Sequence, residues 1–226
     1  MTRDFLIKTL IRQYHVTMFV STTKTEQFAL FTERDKPYGK TYGEWTANWW
    51  QWALSTPRNC NGVADGTGQH WKTNQPPSDV YFLAGNIAKV KKSFPHRSIT
   101  MDYGRSILLP VLNCEANTLE YPHLKNHDDL IKHVLHDVET VVKKDLVING
   151  IKVDPIHIPS DPKIFSVSIC EDNAFEINNT GSTDATADGH WAFLKPLPKG
   201  SYTLRFEGSC ESGRLNAGAF YDLEIL

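Results

Sequence analysis

The segment TYGEWTANWWQWALSTP (Thr41–Pro57) places four tryptophans within eight residues. Thr41 and Glu44 have the spacing of a capping box, in which each of the two side chains accepts a hydrogen bond from a backbone N–H group at the helix start. Pro57 cannot continue a helix, because it has no backbone N–H group to donate. The segment therefore predicts a helix near residues 42–55.

The aromatic residues of this helix have the spacing of core side chains. Tyr42, Trp45, Trp49 and Trp52 follow one another at intervals of three, four and three residues, so they share one helix face. Because a single aromatic side chain buries roughly 150–250 Å², we predict that this face packs against a β core. The spacing favours core packing over a binding surface.

Exposed aromatic rings would indicate a different role, since glycan-binding β-sandwiches stack sugars on such rings. Trp50 points away from the shared face and is the helical tryptophan that could be exposed. Trp71, in a long polar loop over residues 59–79, and Trp191, at the entrance of a strand, are further ligand-binding candidates.

Short segments with strand character dominate the remaining chain. SILLPVLN (106–113) is apolar on both faces, SYTLRF (201–206) alternates, and Asn149-Gly150 is the preferred pair for a tight hairpin turn. One further helix is predicted near residues 127–144, which leaves too few helices for a parallel α/β sheet. The predicted fold is mainly β: an antiparallel β-sandwich, similar to a jelly roll, with two packed α-helices.

Length and composition limit the domain organisation and the partners. The 226 residues suit an N-terminal arm (1–37) followed by a single sandwich domain (38–226). A net charge of −2 gives no basic excess for nucleic acid, and no apolar run is long enough for a membrane span. Polar residues interrupt every candidate apolar stretch of the N-terminus, so we expect no secretory leader and a cytoplasmic location.

The four cysteines, Cys60, Cys114, Cys170 and Cys210, allow three pairings, or none in a reducing compartment. Their spacings contain no paired Cys/His motif for structural zinc. Cys170 and Cys210 both fall at the ends of predicted strands and are the preferred pair if a disulfide forms.

Several phrases resemble a family of uncharacterised bacterial and archaeal proteins, mostly predicted to be secreted. They are YGKTYGEWTANWWQWALSTP, VADGTGQHW, VYFLAGN, SILLPVLNCE and DGHWAFLKPLPKGSYTLRFEG, which cover most of residues 38–208. The tryptophan-rich helix is the most distinctive of these phrases. The family has no assigned activity, so the resemblance implies a shared organisation and no chemistry. The resemblance also implies secretion, whereas the N-terminus of this sequence predicts a cytoplasmic location.

No nucleotide-binding, hydrolase or metalloprotease motif occurs in the sequence. If the 59–79 loop folds over one end of the sandwich, Asp65, His70, Glu115 and His190 could converge. Two histidines with carboxylates form a plausible site for a divalent metal ion, with His70, His190 and Glu115 as ligands, or an acid/base group. Four separate structural roles are the alternative.

Glu115 is also a candidate by itself, because it ends an almost wholly apolar strand. A buried carboxylate needs a partner or a shifted pKa. Arg97, Arg105, a backbone cluster or a metal could supply that partner. His133 and His136, three residues apart on the second helix, project away from its apolar rows and are predicted to face solvent.

Three functions remain open from the sequence. The first is a non-enzymatic β-sandwich that binds a small ligand, a glycan or a protein partner. The second is a metal-dependent hydrolase or oxidoreductase that uses the His/Asp/Glu set. The third is a structural protein that forms homo-oligomers through residues 1–37. Fold alone does not choose among them.

Overall fold

A computed structural model describes residues 28–87 and 94–226 of the chain. Within these ranges the protein contains two α-helices and two β-sheets. Neither helix has both the length and the apolar character that crossing a membrane requires. The predicted mainly β fold with two helices is confirmed.

The first helix, α1 (Tyr42–Ser55), has the predicted bounds. The Glu44 N–H group donates to the Thr41 hydroxyl at 3.1 Å, and the Thr41 N–H group donates to the Glu44 carboxylate at 2.6 Å. This completes the capping box. The rings of Trp45, Trp49 and Trp52 are buried, so core packing is confirmed for them.

Within the described ranges, eleven strands form the two sheets. In chain order they are β1 (Val80–Phe82), β2 (Asn86–Ile87), β3 (His96–Met101), β4 (Ser106–Asn117), β5 (Val141–Ile148), β6 (Ile151–Val153), β7 (Ile156–His157), β8 (Phe165–Ile169), β9 (Gly181–Leu194), β10 (Gly200–Cys210) and β11 (Asn216–Ile225). The first sheet has the order β1-β4-β9-β7, with β8 also paired to β9. The second has the order β2-β11-β10-β5-β6, with β3 also paired to β11.

Both sheets are mixed. β1 runs parallel to β4, and β3 runs parallel to β11, whereas the other pairs among the described strands are antiparallel. The predicted antiparallel arrangement is therefore correct for most pairs and wrong for these two. A two-residue alternation buries the same strand face whichever way the neighbouring strand runs, so it could not distinguish the two directions.

The buried side chains lie in three regions. One cluster contains residues of both sheets, among them Leu109 of β4 and Phe206 of β10. A second lies between the other face of the first sheet and α1. A third joins α2 (His127–Glu139) to the end of β4. The sheets approach closely at Gly208, where an added Cβ atom would lie 2.5 Å from the Val111 carbonyl oxygen.

β4 is irregular at its proline. Its register with β9 shifts between Pro110 and Leu112, so the proline lies at a bulge, where its missing N–H group is tolerated. The bulge changes which residues of the strand face each side. Beyond it, Cys114 and Ala116 pack toward α2, and Glu115 lies on the opposite face.

The second helix is shorter than predicted. α2 ends at Glu139, and the residues from Val141 onward form β5 instead of a last helical turn. Val141 and Val142 continue the helical apolar period, but β-branched side chains also favour strands, and Val141 pairs with Cys210. The predicted turn at Asn149-Gly150 is confirmed, since both residues have positive φ.

The predicted arm falls partly outside the described residues. Positions 1–27 are not described, so the predicted oligomerisation through the arm stays a prediction. Its later part contacts the sheets: the Phe31 N–H group donates to the Phe193 carbonyl at 2.8 Å, and Phe28 packs in the inter-sheet core.

All four cysteines are free thiols. The preferred Cys170–Cys210 pair is wrong, because the two residues lie in different surroundings. Cys170 follows β8 and donates its N–H group to the Leu54 carbonyl, next to α1. Cys210 ends β10, and its sulfur lies 3.2 Å from the Ser212 hydroxyl.

Candidate functional site

A cleft lies where β4 has no neighbouring strand. β1 pairs only with Ser106–Leu108, so the same edge of β4 has no strand partner beyond Leu108 in the described part of the chain. Beside this edge is a cavity of about 730 Å³, within the range typical of small-molecule sites. We name it the edge cleft. Its walls include Trp50 of α1, Asn113 and Glu115 of β4, Tyr121, His133 and Asp137 of the α2 region, Phe175, Arg214 and Asn216.

Trp50 differs from the other tryptophans of its helix. Trp45, Trp49 and Trp52 each donate their indole N–H group to a backbone carbonyl, at 2.8, 2.9 and 2.9 Å. The Trp50 Nε1 atom is buried without a hydrogen-bond partner among the described residues. Its ring is buried, which corrects the expectation of an exposed ring, and lies 5.6 Å from the Phe175 ring at an angle of 44°.

Unpartnered buried polar atoms occur at this cleft and elsewhere in the described structure, where they lie on Tyr42, Asn86, Arg97, His190 and Trp191. Four side chains of the cleft contain a buried nitrogen or oxygen with no hydrogen-bond partner in the described structure: Trp50 (Nε1), Asn113 (Nδ2), His133 (Nε2) and Asn216 (Oδ1). Such atoms are uncommon in native proteins, and each one requires an explanation. The four come from α1, β4, α2 and β11, so no single element accounts for them.

Glu115 is buried at the same cleft and is held by one neighbour. The Asn117 Nδ2 atom lies 3.1 and 3.3 Å from its two carboxyl oxygens. The Asn117 oxygen accepts the N–H groups of Leu119 and Glu120, which fixes the turn that follows β4. Burial, and then the charge of Glu120, raise the pKa of Glu115 to about 8. The expected partners Arg97 and Arg105 do not contact it.

Those two arginines have other partners. The Arg97 Nε atom donates to the Asp65 carbonyl at 2.7 Å, and its guanidinium also bonds the Ala84 carbonyl. Arg105 donates to the Ser78 carbonyl at 2.5 Å. Both side chains therefore anchor loops to the sheets.

The α2 wall of the cleft carries a chain of polar contacts. The His133 ring lies 4.5 Å from the Tyr121 ring, and the Asp137 carboxylate accepts hydrogen bonds from Arg214 at 2.6 Å and from the Cys114 thiol at 3.7 Å. Burial, with the nearby charge of Arg214, lowers the pKa of His133. The expectation that His133 faces solvent is wrong, because Tyr121 and Arg214 cover that side of the helix.

Asp65 and His70 organise their own loop. The Asp65 carboxylate accepts the N–H group and the hydroxyl of Thr67, both at 2.7 Å, and the His70 N–H group at 2.8 Å. Burial alone would raise the pKa of Asp65. The hydrogen bonds that the carboxylate accepts outweigh burial, so the pKa is lowered. Asp65 therefore has one of the separate structural roles that the sequence left open as the alternative to a shared site.

His190 lies in a separate polar cluster. Its ring is 5.3 Å from the ring of His157, whose Nε2 atom is 2.8 Å from the buried Asp188 carboxylate. The His190 Nδ1 atom has no hydrogen-bond partner within the described ranges. Burial, followed by the charges of Lys144 and His157, lowers the pKa of His190 to about 4.

The two other candidate rings are buried. Trp71 packs 4.9 Å from the Tyr81 ring, and Trp191 packs 5.7 Å from Trp49. The expectation that they form exposed ligand-stacking surfaces is therefore wrong. Both complete the packing of the first sheet and its covering loops.

The predicted convergent set is not observed. Asp65 and His70 bond within their loop, Glu115 lies at the edge cleft, and His190 contacts His157. No group of three or more His, Cys, Asp or Glu side chains has a metal-binding arrangement within residues 28–87 and 94–226. Of the predicted site residues, Glu115 is the one that lines the edge cleft.

Sequence reasoning missed most of the cleft. Asn113 carried a usable signal, because it is a polar residue in an apolar strand, as is Glu115. His133 is predicted from the sequence to face solvent, so it gave no signal of a cleft. Asn216 lies at the start of β11 and gives no local signal, since its position beside β4 depends on the pairing of distant strands.

Comparisons with known proteins add little to this description. The chain matches no protein-family model and no curated protein. A chain in a solved structure described as PbICP-C in complex with falcipain-2 aligns with 66% of this chain and 100% of its own length. The sequence identity is 10% and the TM-score is 0.26. A similarity this low supports no inference about fold or function.

Proposed function

We infer that this protein binds a small polar ligand in the edge cleft. The observation that supports this proposal is a cavity of about 730 Å³ whose lining combines aromatic rings with polar side chains. Ligand sites typically combine apolar and aromatic walls with a few placed polar groups. The edge cleft has this composition, with Trp50 and Phe175 beside Asn113, His133 and Asn216.

Two polar side chains of the cleft are held in position by hydrogen bonds from neighbouring side chains. Asn117 fixes Glu115, and Arg214 fixes Asp137 through a 2.6 Å contact. Side chains held in this way lose little entropy when a ligand binds, which favours affinity. The terminal amides of Asn113 and Asn216 can present either atom by rotating about one torsion angle.

A variant that fills the cleft tests the proposal. Ala174 lines the cleft in the loop after β8, so Ala174→Trp should obstruct it. We would titrate the full chain calorimetrically with neutral saccharides, amino acids, nucleosides and inorganic phosphate. We expect at least one class to bind the wild type and to lose binding in Ala174→Trp. Ala64→Trp, at an exposed loop position, is the matched control and should bind normally.

Two results would overturn the proposal. One is that no probe class binds the wild-type chain. The other is that a bound probe binds Ala174→Trp with unchanged affinity, which would place its site elsewhere.

We also infer that the two sheets form a β-sandwich, because one cluster of buried side chains joins them. Jelly-roll connectivity stays a prediction, as does membership of the uncharacterised tryptophan-rich family. The metal-dependent enzyme has no comparable support, since its expected ligands lie in different surroundings.

A further inference from the structure

The backbone hydrogen bonds of β4 change sides at its bulge. Before the bulge, the Leu108 carbonyl accepts the Leu83 N–H group at 3.0 Å, so Leu108 bonds toward β1. The register with β9 then shifts between Pro110 and Leu112, and the extra residue reverses which positions of β4 face β9. Beyond the bulge, the odd-numbered residues of β4 should therefore face the edge that has no strand partner.

The hydrogen bonds of β9 confirm this direction. In an antiparallel pair the N–H and C=O groups of one residue point to the same neighbouring strand, and successive residues alternate. The carbonyls of Ala187 and Gly189 accept N–H groups from the segment after β7, at 2.8 and 2.9 Å, on the side away from β4. Asp188, between them, therefore bonds toward β4, where it is opposite Cys114. Cys114 in turn bonds toward β9.

Asn113 and Glu115 present unpaired backbone groups to the edge cleft. They flank Cys114, so their N–H and C=O groups point away from β9. Among the described residues, the one contact to these four groups is the Cys114 thiol, 3.9 Å from the Glu115 carbonyl oxygen, and a thiol is a weak donor. The cavity contacts four consecutive residues, 112–115. Because their side chains alternate between the two faces of the sheet, a cavity that contacts all four must run along the strand edge.

The open edge is short. Pro110 has no N–H group to donate, and the Asn117 carbonyl already accepts the Tyr121 N–H group at 2.9 Å. Pairing is thus confined to Asn113 and Glu115, which lie roughly 7 Å apart along the strand. This length suits a few residues of an extended chain and is too short for a long strand of another domain.

Partly exposed apolar side chains flank this edge on both faces of the sheet. Phe175, in the loop after β8, lies on the face that α1 covers. Tyr121 and Leu215 lie on the face that α2 covers. Alternate side chains of a strand paired with β4 would point to these two walls in turn. Free backbone groups between two such walls are the arrangement by which protein domains add an extended peptide to a sheet.

We propose that the edge cleft binds a short extended peptide, whose backbone pairs with Asn113 and Glu115 of β4. This inference rests on the proposed ligand-binding function of the same cleft and names the class of its ligand. Main-chain hydrogen bonds provide the affinity, and the two walls select the side chains. Backbone groups carry no net charge, so this pairing does not depend on the balance of charged side chains in the cleft.

The first test uses a pool of pentapeptides with acetylated and amidated ends, in which each position is Val, Thr, Phe, Lys or Glu. The capped ends remove terminal charges. The pool includes both signs of side-chain charge because arginines and acidic residues both line the cleft. Peptides retained by the full chain in ultrafiltration are identified by mass spectrometry. We expect the wild type and Ala64→Trp to retain a subset of the pool and Ala174→Trp to retain none of it.

The second test asks whether the retained peptide binds as a strand. The best peptide is N-methylated on alternate residues, in two versions that differ only in which set of residues is methylated. Successive N–H groups of a strand point to opposite sides, so one version loses the N–H groups that face β4 and the other loses those that face away. By calorimetry, the first version should bind at least about ten-fold more weakly than the second.

Asn113 allows the same test on the protein. In Asn113→Pro the N–H group that faces the cleft is replaced by a ring, whereas the N–H groups that bond toward β9 are kept. Asn113→Ala removes the side chain and keeps the N–H group. Asn113→Pro should therefore bind the peptide at least about ten-fold more weakly than Asn113→Ala. Urea unfolding checks that both variants are folded before their affinities are compared.

The outcomes separate the two proposals. Equal affinities of the two methylated versions, or of Asn113→Pro and Asn113→Ala, would show that strand pairing is wrong. Retention of the same peptides by Ala174→Trp would place their site elsewhere. If no pentapeptide is retained, but a saccharide, amino acid, nucleoside or phosphate binds and is blocked by Ala174→Trp, the peptide assignment is wrong and ligand binding stands. If no probe of either kind binds, the proposed function is wrong as well.

Discussion

Glu115 allows a quantitative test of the structure that needs no ligand. Burial and the charge of Glu120 raise its pKa from the ordinary value of 4.5 to about 8. In the unfolded chain the carboxyl group loses its proton near pH 4.5, whereas in the folded protein it retains the proton up to about pH 8. Between these values the folded state binds one more proton, so the free energy of unfolding decreases as the pH rises.

The size of the effect follows from the same pKa values. One bound proton changes the free energy of unfolding by about 1.4 kcal/mol per pH unit. Over the interval from 4.5 to about 8 the contribution of Glu115 falls by roughly 5 kcal/mol. The contribution is fully present below pH 4.5 and lost above pH 8.

The variant Glu115→Gln isolates this contribution, because its amide does not titrate. Urea unfolding followed by tryptophan fluorescence gives the free energies of both proteins from pH 4.5 to 9. The wild-type value minus the variant value should decrease across the interval, since other titrating groups cancel in the difference. Glu120→Gln removes the second cause of the raised pKa and should shift the decrease to lower pH.

A constant difference would refute the reasoning. If the wild type and Glu115→Gln differ by the same amount at pH 5 and pH 9, within about 1 kcal/mol, Glu115 titrates alike in both states. The Glu115 carboxyl group would then be more exposed to water in the folded protein, or closer to positive charges, than the structure shows.

Two further substitutions test the packing around the cleft, both by urea unfolding. Trp49→Phe should lower the free energy of unfolding by about 1–3 kcal/mol more than Trp50→Phe does. The reason is that it leaves the buried Leu83 carbonyl without its indole donor, whereas the Trp50 indole has no such partner. Equal losses of stability in the two variants would contradict this prediction. Gly208→Ala should destabilise by about 1–3 kcal/mol or more, since the new Cβ would lie 2.5 Å from a β4 carbonyl oxygen. Gly66→Ala, with no heavy atom within 4 Å of the Cβ position, is its control and should cost much less.

The sequence predicted the features that depend on neighbouring residues. Thr41, Glu44 and Pro57 set the bounds of α1 through contacts within a few positions of the chain. Pro110 limits the pairing of β4 wherever that strand lies, because a proline has no backbone N–H group to donate. Asn149-Gly150 predicted a turn from backbone conformation alone. Each inference held because the deciding interaction is local.

Inferences that depended on distant segments failed. Val141 and Val142 fit the period of α2, and only the pairing with β10 makes them part of a strand. His133 appeared to be solvent-facing, because the sequence does not reveal that Tyr121 and Arg214 cover that side of the helix. The cleft is therefore the least predictable part of the protein, since its walls come from segments separated by many residues.

Unpartnered buried polar atoms do not by themselves mark a site in this fold, since they occur at the edge cleft and also in the core, on Tyr42 and Trp191. A buried polar group without a partner costs about 1–3 kcal/mol, and whole domains are stable by only about 5–15 kcal/mol. Three indoles of α1 each have a carbonyl acceptor, whereas the Trp191 indole in the core has none among the described residues. The fourth indole, on Trp50, lies at the cleft with unpartnered groups of Asn113, His133 and Asn216. These four atoms are closed to solvent, so what makes the cleft a candidate site is the cavity of about 730 Å³ beside them and the polar and aromatic side chains that line it.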